Sequence, residues 1–362
     1  MFKRKSILAL ALAAGMTFSL AGCGGSSSSS SAAASSTASK AAAATSSSAS
    51  GAATGTKVGK TVLKCSFNQS ADNPEAKTVV EMSDKLYDAT DGRYSIEVYP
   101  NELLGSQKDS LELVENGAID MAIVANSMVE NVNPDFAVIG CPYMFDSIDH
   151  QKKLFQSGAL DDLYTTTESA GFDVLAAYSL GARCIYTKSA PVKTPADLSG
   201  KKIRVMQSDT MVQMLKYMGG VGTPMSQGDV YSAIQAGTLD GAENNIITYV
   251  DLKQYEVAPF FSETNHLMIP DELIISSSLF KGMSEDDAKA LKKVAKESVD
   301  TMFNLSAKLR DEYLTKCKNE LGVTITTVDI KPFQDAMKPL IDSVSNRSDM
   351  TKSIYQEIQK LK

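Results

Sequence analysis

The sequence predicts an α/β protein of two similar lobes crossed by one long helix. Three observations carry that expectation. Strands and helices alternate over residues 61–124, the alternation returns over residues 183–237, and one amphipathic run extends from Ser284 to Gly322. Alternation of this kind places strands in a parallel-rich sheet with helices against it.

In the first unit, residues 61–67 read as a buried strand. Asp72 or Asn73 caps a helix with Pro74 at its first position, where the missing N–H costs nothing. Val79, Met82, Leu86 and Ala89 then share one helical face. Asp91-Gly92 turns the chain into a strand in which Tyr94, Ile96 and Val98 alternate. A helix over residues 107–115 stops at Gly117, and residues 119–124 form another apolar strand.

The second unit follows Gly181. Residues 183–187 are a strand, Thr194-Pro195 opens a short helical turn, and Gly200 releases it. Ile203 and Val205 lie in a strand, Ser208 caps the next helix, and residues 221–225 form a short strand. A helix over residues 229–235 ends at Gly237. Beyond it, Ser284 caps the long helix and sets Glu285, Asp286 and Asp287 on its positive end. Leu291, Val294, Ala295, Met302, Leu309, Tyr313 and Cys317 keep near-helical spacing. About 35 residues at a rise of about 1.5 Å span roughly 50 Å, more than one small domain. A break near Asn304 into two helices is the alternative.

Composition narrows the function. The chain has 362 residues, 43% hydrophobic and 22% charged, with a net charge of −7. That charge argues against a nucleic-acid partner, which demands clustered Lys and Arg. Only His150 and His266 are available as imidazoles, which removes most histidine metal sites and weakens a Ser-His-Asp reading. No sequence motif calls for a cofactor or a metal. Cys65, Cys141, Cys184 and Cys317 stand singly in apolar or amphipathic contexts and read as small buried hydrophobes, with a disulfide left open.

At the N-terminus, Lys3, Arg4 and Lys5 precede an apolar stretch too short to span a bilayer. Leu20-Ala21-Gly22-Cys23 closes it and resembles the lipobox of bacterial lipoproteins, which implies a lipid on Cys23. Every residue from Gly24 to Thr56 except Lys40 is Gly, Ser, Ala or Thr. Such a segment has little to bury and reads as a tether. Two lobes, a spanning helix and a tethered exterior position describe a binding protein that closes around a solute.

The region from Gly181 to Asn245 sharpens this. It contains Gly181-x-Arg183, Pro195-x-Asp197-Leu198-x-Gly200-x-Lys202-x-Arg204, Val230-Tyr231-x-Ala233 and Asp240-Gly241-x-Glu243-Asn244. Asp91-Gly92-Arg93, Leu104-Gly105, Gly117-Ala118-Ile119-Asp120 and Thr264-Asn265-His266 agree elsewhere. The chain resembles the solute-binding proteins of tripartite ATP-independent periplasmic (TRAP) transporters over its whole body. The resemblance implies a two-lobe, periplasmic-binding-protein-like fold of type II character, with hinge strands. It implies a protein that is not an enzyme and that carries an organic acid to membrane permease subunits. The implied divisions are a signal peptide at 1–22, lipidated Cys23 and linker at 23–57, an N-terminal lobe at 58–181 plus 271–309, and a C-terminal lobe at 182–270 plus 310–362.

By the same resemblance Arg204 holds the ligand carboxylate, as suits a planar guanidinium with parallel donors. Arg183 is a second arginine near the ligand, and Asn244 a ligand-binding amide. Glu243 orients an arginine. Asn68 and Asn126 match positions of the first lobe that face the cleft. Gln227 stands where a sialic-acid-specific relative has an aromatic residue, which disfavours that sugar. His266 and Tyr231 read as packing or orienting residues. The expected ligand is a hexuronate or related acid, because Gly241-Ala242-Glu243-Asn244-Asn245 is similar to uronate-binding members. A tethered enzyme on the same scaffold, or a receptor for a signalling kinase, is the alternative.

Overall fold

A computed structural model describes residues 51–362, and Cys23 and the residues around it lie outside this range. The chain starts with β1 (Ala53–Thr54), an edge strand antiparallel to a later one, and β2 (Thr61–Ser66) follows. Asn73 caps α1 (Pro74–Ala89) by accepting the Glu75 N–H at 2.9 Å. Next come β3 (Tyr94–Tyr99), α2 (Gln107–Glu115) with a Ser106–Asp109 capping box, and β4 (Met121–Ala125). Short helices α3 (Asn126–Val129), α4 (Ile148–Gln156) and α5 (Asp161–Thr165) lead to β5 (Phe172–Tyr178).

The second run begins with β6 (Arg183–Thr187), β7 (Lys202–Val205) and α6 (Asp209–Tyr217). It continues through β8 (Val221–Pro224), α7 (Val230–Ala236), β9 (Gly241–Asn245), α8 (Ile246–Asp251) and β10 (Phe260–Leu267). Gly237 ends α7 in the left-handed region, φ 76°, where a side chain would be strained. The chain then returns through β11 (Asp271–Ser276) and α9 (Ser277–Gly282). Last are α10 (Glu285–Asn319), β12 (Thr324–Thr327), α11 (Lys331–Ser345) and α12 (Asp349–Lys360).

Two six-stranded sheets result, in the orders β1-β3-β2-β4-β11-β5 and β12-β10-β6-β9-β7-β8. The expected parallel core is present in each: β3, β2 and β4 in one, β9, β7 and β8 in the other. Antiparallel strands extend both, so each sheet is mixed. The chain passes from the first sheet to the second between Tyr178 and Arg183, and back between Leu267 and Asp271. Gly241 opens β9 where the backbones crowd; a Cβ there would stand 2.1 Å from the Tyr186 carbonyl oxygen.

The long helix is a single unbroken element of 35 residues, including Asn304. Ser284 caps it, and Asp287 in its first turn takes Nη2 of Arg93 at 2.8 Å. Its N-terminal part packs against α1 and β5, and its C-terminal part against α8 and β12. It therefore crosses both lobes, as the apolar periodicity predicts.

Two expected boundaries shift. Residues up to 57 were assigned to the tether, yet β1 pairs with Val98 and Glu97 of β3. Thr56 Oγ1 donates to Asp84 at 2.8 Å and Lys57 Nζ to Asp88 at 2.6 Å. An edge strand and two carboxylates of α1 thus order the last residues of that segment. Residues 310–362 were assigned wholly to the C-terminal lobe. Instead, α12 packs against α4 and against the 3₁₀ turn Pro134–Val138, both of which the chain enters between β4 and β5. Ile354 and Ile358 are buried there, and Ile358 O lies 2.8 Å from His150 Nε2. The hydrophobic face of α12 sets its place.

Among the described residues Cys65, Cys141, Cys184 and Cys317 are buried free thiols. None of the described helices is long and apolar enough to cross a membrane.

Candidate functional site

The two sheets face each other across a cleft lined by side chains of both lobes. Ligands of open α/β sheets bind beyond the carboxyl ends of parallel strands, where the chain turns away. The cleft obeys this rule. Asn68 and Gln69 follow β2, and Glu102 follows β3. Met225, Ser226 and Gln227 follow β8, while Asn244 and Asn245 end β9. Arg183 stands at the start of β6, Arg204 within β7, and Asp271 at the start of β11.

The lobes touch on either side of this space. Thr248 Oγ1 donates to Gln69 Oε1 at 2.6 Å, and Asn131 Nδ2 donates to Gln207 O at 2.9 Å. The Thr210 N–H, at the first turn of α6, donates to the Glu130 carboxylate at 3.3 Å.

The two arginines differ in how they are held. Antiparallel pairing sets Arg183 opposite Asn245 and Ile185 opposite Glu243. Arg183 Nε donates to Glu243 Oε2 at 2.6 Å and Nη2 to Oε1 at 2.9 Å, a two-pronged ion pair. Its Nη2 also reaches Glu243 O at 2.9 Å, and Nη1 reaches Asn244 Oδ1 at 2.7 Å. Burial alone would raise the Glu243 carboxyl, but the Arg183 charge and the His266 contact overcome it and hold it at about 2. His266, wholly buried, has Nε2 3.4 Å from Glu243 Oε2, and burial pulls its own pKa down. Glu243 therefore holds Arg183, with His266 behind it.

Arg204 is 4% exposed and forms no ion pair among the described residues. Nε donates to Met225 O at 2.8 Å and Nη1 to Gln227 Oε1 at 3.1 Å. Burial pulls its guanidinium down to about 10, against the partial help of Glu243. A buried cation with only neutral partners is costly. It is also a ready-made seat for a carboxylate. Asn244 Nδ2 donates to the same Gln227 Oε1 at 3.2 Å, and Gln227 Nε2 is buried without a partner.

Arg183, Arg204, Gln227, Asn244 and Asn68 thus all line the cleft. Asn126 does not. It is fully buried at the start of α3, where Nδ2 donates to Phe136 O at 2.9 Å and its N–H donates to Pro270 O at 2.9 Å. It pins the turn after β4 and is absent from the cavity lining, although its Oδ1 is buried without a partner. Glu243 also lies behind the lining. Sequence reading missed Glu102 and Asp271, which no local pattern distinguishes from surface acids.

Asp271 meets Glu75, a wholly buried carboxyl in the first turn of α1. Burial raises both; Asp271 raises Glu75 further, while the contact with Glu75 and the Arg183 charge partly restrain Asp271.

A family model for bacterial extracellular solute-binding proteins, family 7, matches residues 65–348. The chain belongs to the TRAP solute-binding proteins. A solute-binding protein of Chromohalobacter salexigens is 32% identical over 79% of this chain and 85% of its own length. A TRAP solute-binding protein of Xanthobacter autotrophicus Py2, solved with bound β-D-galacturonate, is 35% identical, with a TM-score of 0.79 over 82% of this chain and 99% of that one. One from Anaerococcus prevotii, solved with D-glucuronate, is 34% identical, with a TM-score of 0.80 over 83% and 98%. Both confirm the two-lobe α/β architecture for this receptor.

Two outcomes follow from the charges. Arg183→Met strands Glu243 in the interior and should destabilise the fold by about 3–5 kcal/mol. Arg204→Met removes an uncompensated charge and should leave the unliganded melting temperature equal or higher. Differential scanning calorimetry of both variants checks this, and equal destabilisation would contradict the assignment of roles. The acid pair gives the second. A carboxyl whose folded pKa is raised favours the fold below its unfolded value of about 4 and loses that contribution as pH rises through the raised one. Glu75→Gln should therefore gain thermal stability over wild type progressively from about pH 4 to pH 8. A pH-independent difference in melting temperature would contradict it.

Proposed function

We propose that this TRAP solute-binding protein captures a hexuronate between its lobes and hands it to membrane permease subunits. The observation that carries the reading is Arg204, a buried cation in the cleft with neutral partners only. A ligand carboxylate supplies the missing charge. Asn68, Gln227, Asn244 and Asn245 around it offer neutral donors and acceptors suited to ring hydroxyls. The galacturonate and glucuronate bound to similar proteins support the same choice.

The receptor performs no bond chemistry in this reading. His266 sits behind Glu243, and His150 is bonded to Ile358 O, so both imidazoles of the chain are occupied away from the lining. Glu243 is committed to Arg183. Binding closes the lobes, and the closed form is what the permease meets.

We also propose that Cys23 carries a lipid and holds the protein at the outer face of the cell membrane, on the strength of the Leu20-Ala21-Gly22-Cys23 run.

Calorimetry against glucuronate, galacturonate, sialic acid, succinate, pyruvate and glutamate tests the ligand. A uronate should bind tightest, and Arg204→Ala should weaken it about a hundredfold or more, since each hydrogen bond to a charged group contributes about 1.5–3 kcal/mol. Arg204→Lys should restore only part of the loss, because an ammonium lacks the fork. Succinate or pyruvate binding while both uronates fail would reject the hexuronate. For the anchor, Cys23→Ser should move the protein out of the membrane fraction or leave it unprocessed; unchanged attachment of a normally sized product rejects lipidation.

A further inference from the structure

The cleft contains an acid that the Arg183–Glu243 pair does not use. Glu102 lies in the loop after β3, and it and Asn101 both adopt left-handed backbone, φ 57° and 56°. Non-glycine residues rarely do so, and two in succession persist only where the surroundings enforce them. The enforced result is a side chain that reaches from the first lobe to the second. Its carboxylate lies against the Gly228 backbone, and burial, set against that proximity and the nearby Arg204 charge, raises its pKa. A Cβ at position 228 would stand 2.6 Å from Glu102 Oε2, so only glycine permits the approach.

The other oxygen is not engaged. Oε1 is buried and has no hydrogen-bond partner among the described residues. Glu102 and Gln227, with Asn68, line both the main cleft and an adjoining pocket. Gln227 Nε2 is also unpartnered. A buried acceptor and a buried donor, both unused and both on residues lining the same two pockets, match a ligand group that gives one hydrogen and takes another. A hydroxyl does both. A second ligand carboxylate does not, and the charge of Glu102 repels it.

We propose that Glu102 is the specificity residue of this receptor: Oε2 rests against the Gly228 backbone of the other lobe, Oε1 accepts a hydroxyl of the bound acid, and its charge turns dicarboxylates away. This rests on the hexuronate reading and adds to it a reason for choosing a hydroxylated monoacid over a dianion.

The experiment is calorimetry of wild type, Glu102→Ala, Glu102→Gln and Gly228→Ala with D-glucuronate, D-galacturonate and succinate, with folding checked by circular dichroism. Glu102→Ala should weaken the preferred uronate by about tenfold or more, the loss expected when a buried hydrogen bond to a charged group is removed. Succinate should bind no more weakly than to wild type, so the preference for uronate collapses. Glu102→Gln keeps an acceptor without the charge; it should retain more uronate affinity than alanine and still lose discrimination against succinate. Gly228→Ala leaves Glu102 in place chemically and displaces it sterically, so it should move uronate affinity in the same direction. The Glu102→Ala, Gly228→Ala double variant should be no weaker than the weaker single one, the non-additivity of a shared contact. If wild type binds a uronate and Glu102→Ala matches it within about threefold, the role of Glu102 is overturned and the uronate reading stands. If wild type binds neither uronate, the ligand class is overturned, and the hydroxyl contact with it.

Discussion

Two guanidinium groups are buried in the cleft, and among the described residues Glu243 is the one carboxylate that forms an ion pair with either. It is spent on Arg183, through two parallel hydrogen bonds and a strand pairing that fixes both residues. Arg204 is left with a backbone carbonyl and an amide oxygen. Arg204 thus keeps a charge that no ion pair among the described residues cancels, with Glu102 and Glu243 acting on it only through space. The rest of the architecture serves that imbalance: one sheet holds both arginines, and the other supplies the opposing wall that shuts out water. Desolvation raises the value of each electrostatic contact in such a place and also the cost of leaving it unmade.

The same economy explains why the acids of the first lobe sit where they do. Glu75 and Asp271 meet at the point where β11 re-enters the first sheet, next to Arg183. Neither is a surface group. Burial raises the affinity of Glu75 and Asp271 for protons, most of all in Glu75, whereas Glu102 approaches Arg204 from the opposite lobe.

Much of this was legible in the sequence, and for identifiable reasons. The helices near the site open on Asn73, Ser106 and Ser208 and keep an apolar face, so period and punctuation agree. The long helix declared itself through its cap and its apolar stripe. Arg183, Arg204 and Asn244 came from motif likeness, since spacing alone does not separate a cleft arginine from one in a surface ion pair. Asn126 shows the limit of that route: it follows a strand as Asn68 does, yet its amide turns back to Phe136. Glu102 was invisible because its importance lies in an unusual backbone conformation and in a glycine on another lobe, 126 positions away in neither case signalled by periodicity or charge pattern. Of the C-terminal helices, α11 packs on α6 and β10 and α12 on α4; amphipathicity says that a face is covered, not by which element.

The four thiols have a consequence for the life of the protein outside the cell. Burial pushes Cys184 up to about 12 and Cys317 up to about 11, and raises Cys65 and Cys141 further still. Only a thiolate attacks a disulfide or an oxidant, so in the native state all four are chemically silent. An exported chain arrives unfolded, however, with every one of them exposed and far from its neighbours in sequence. Any pair joined at that moment would be a wrong pair. Correct maturation is therefore a race between collapse of the two lobes and oxidation, and the native fold is its own antioxidant once the race is won.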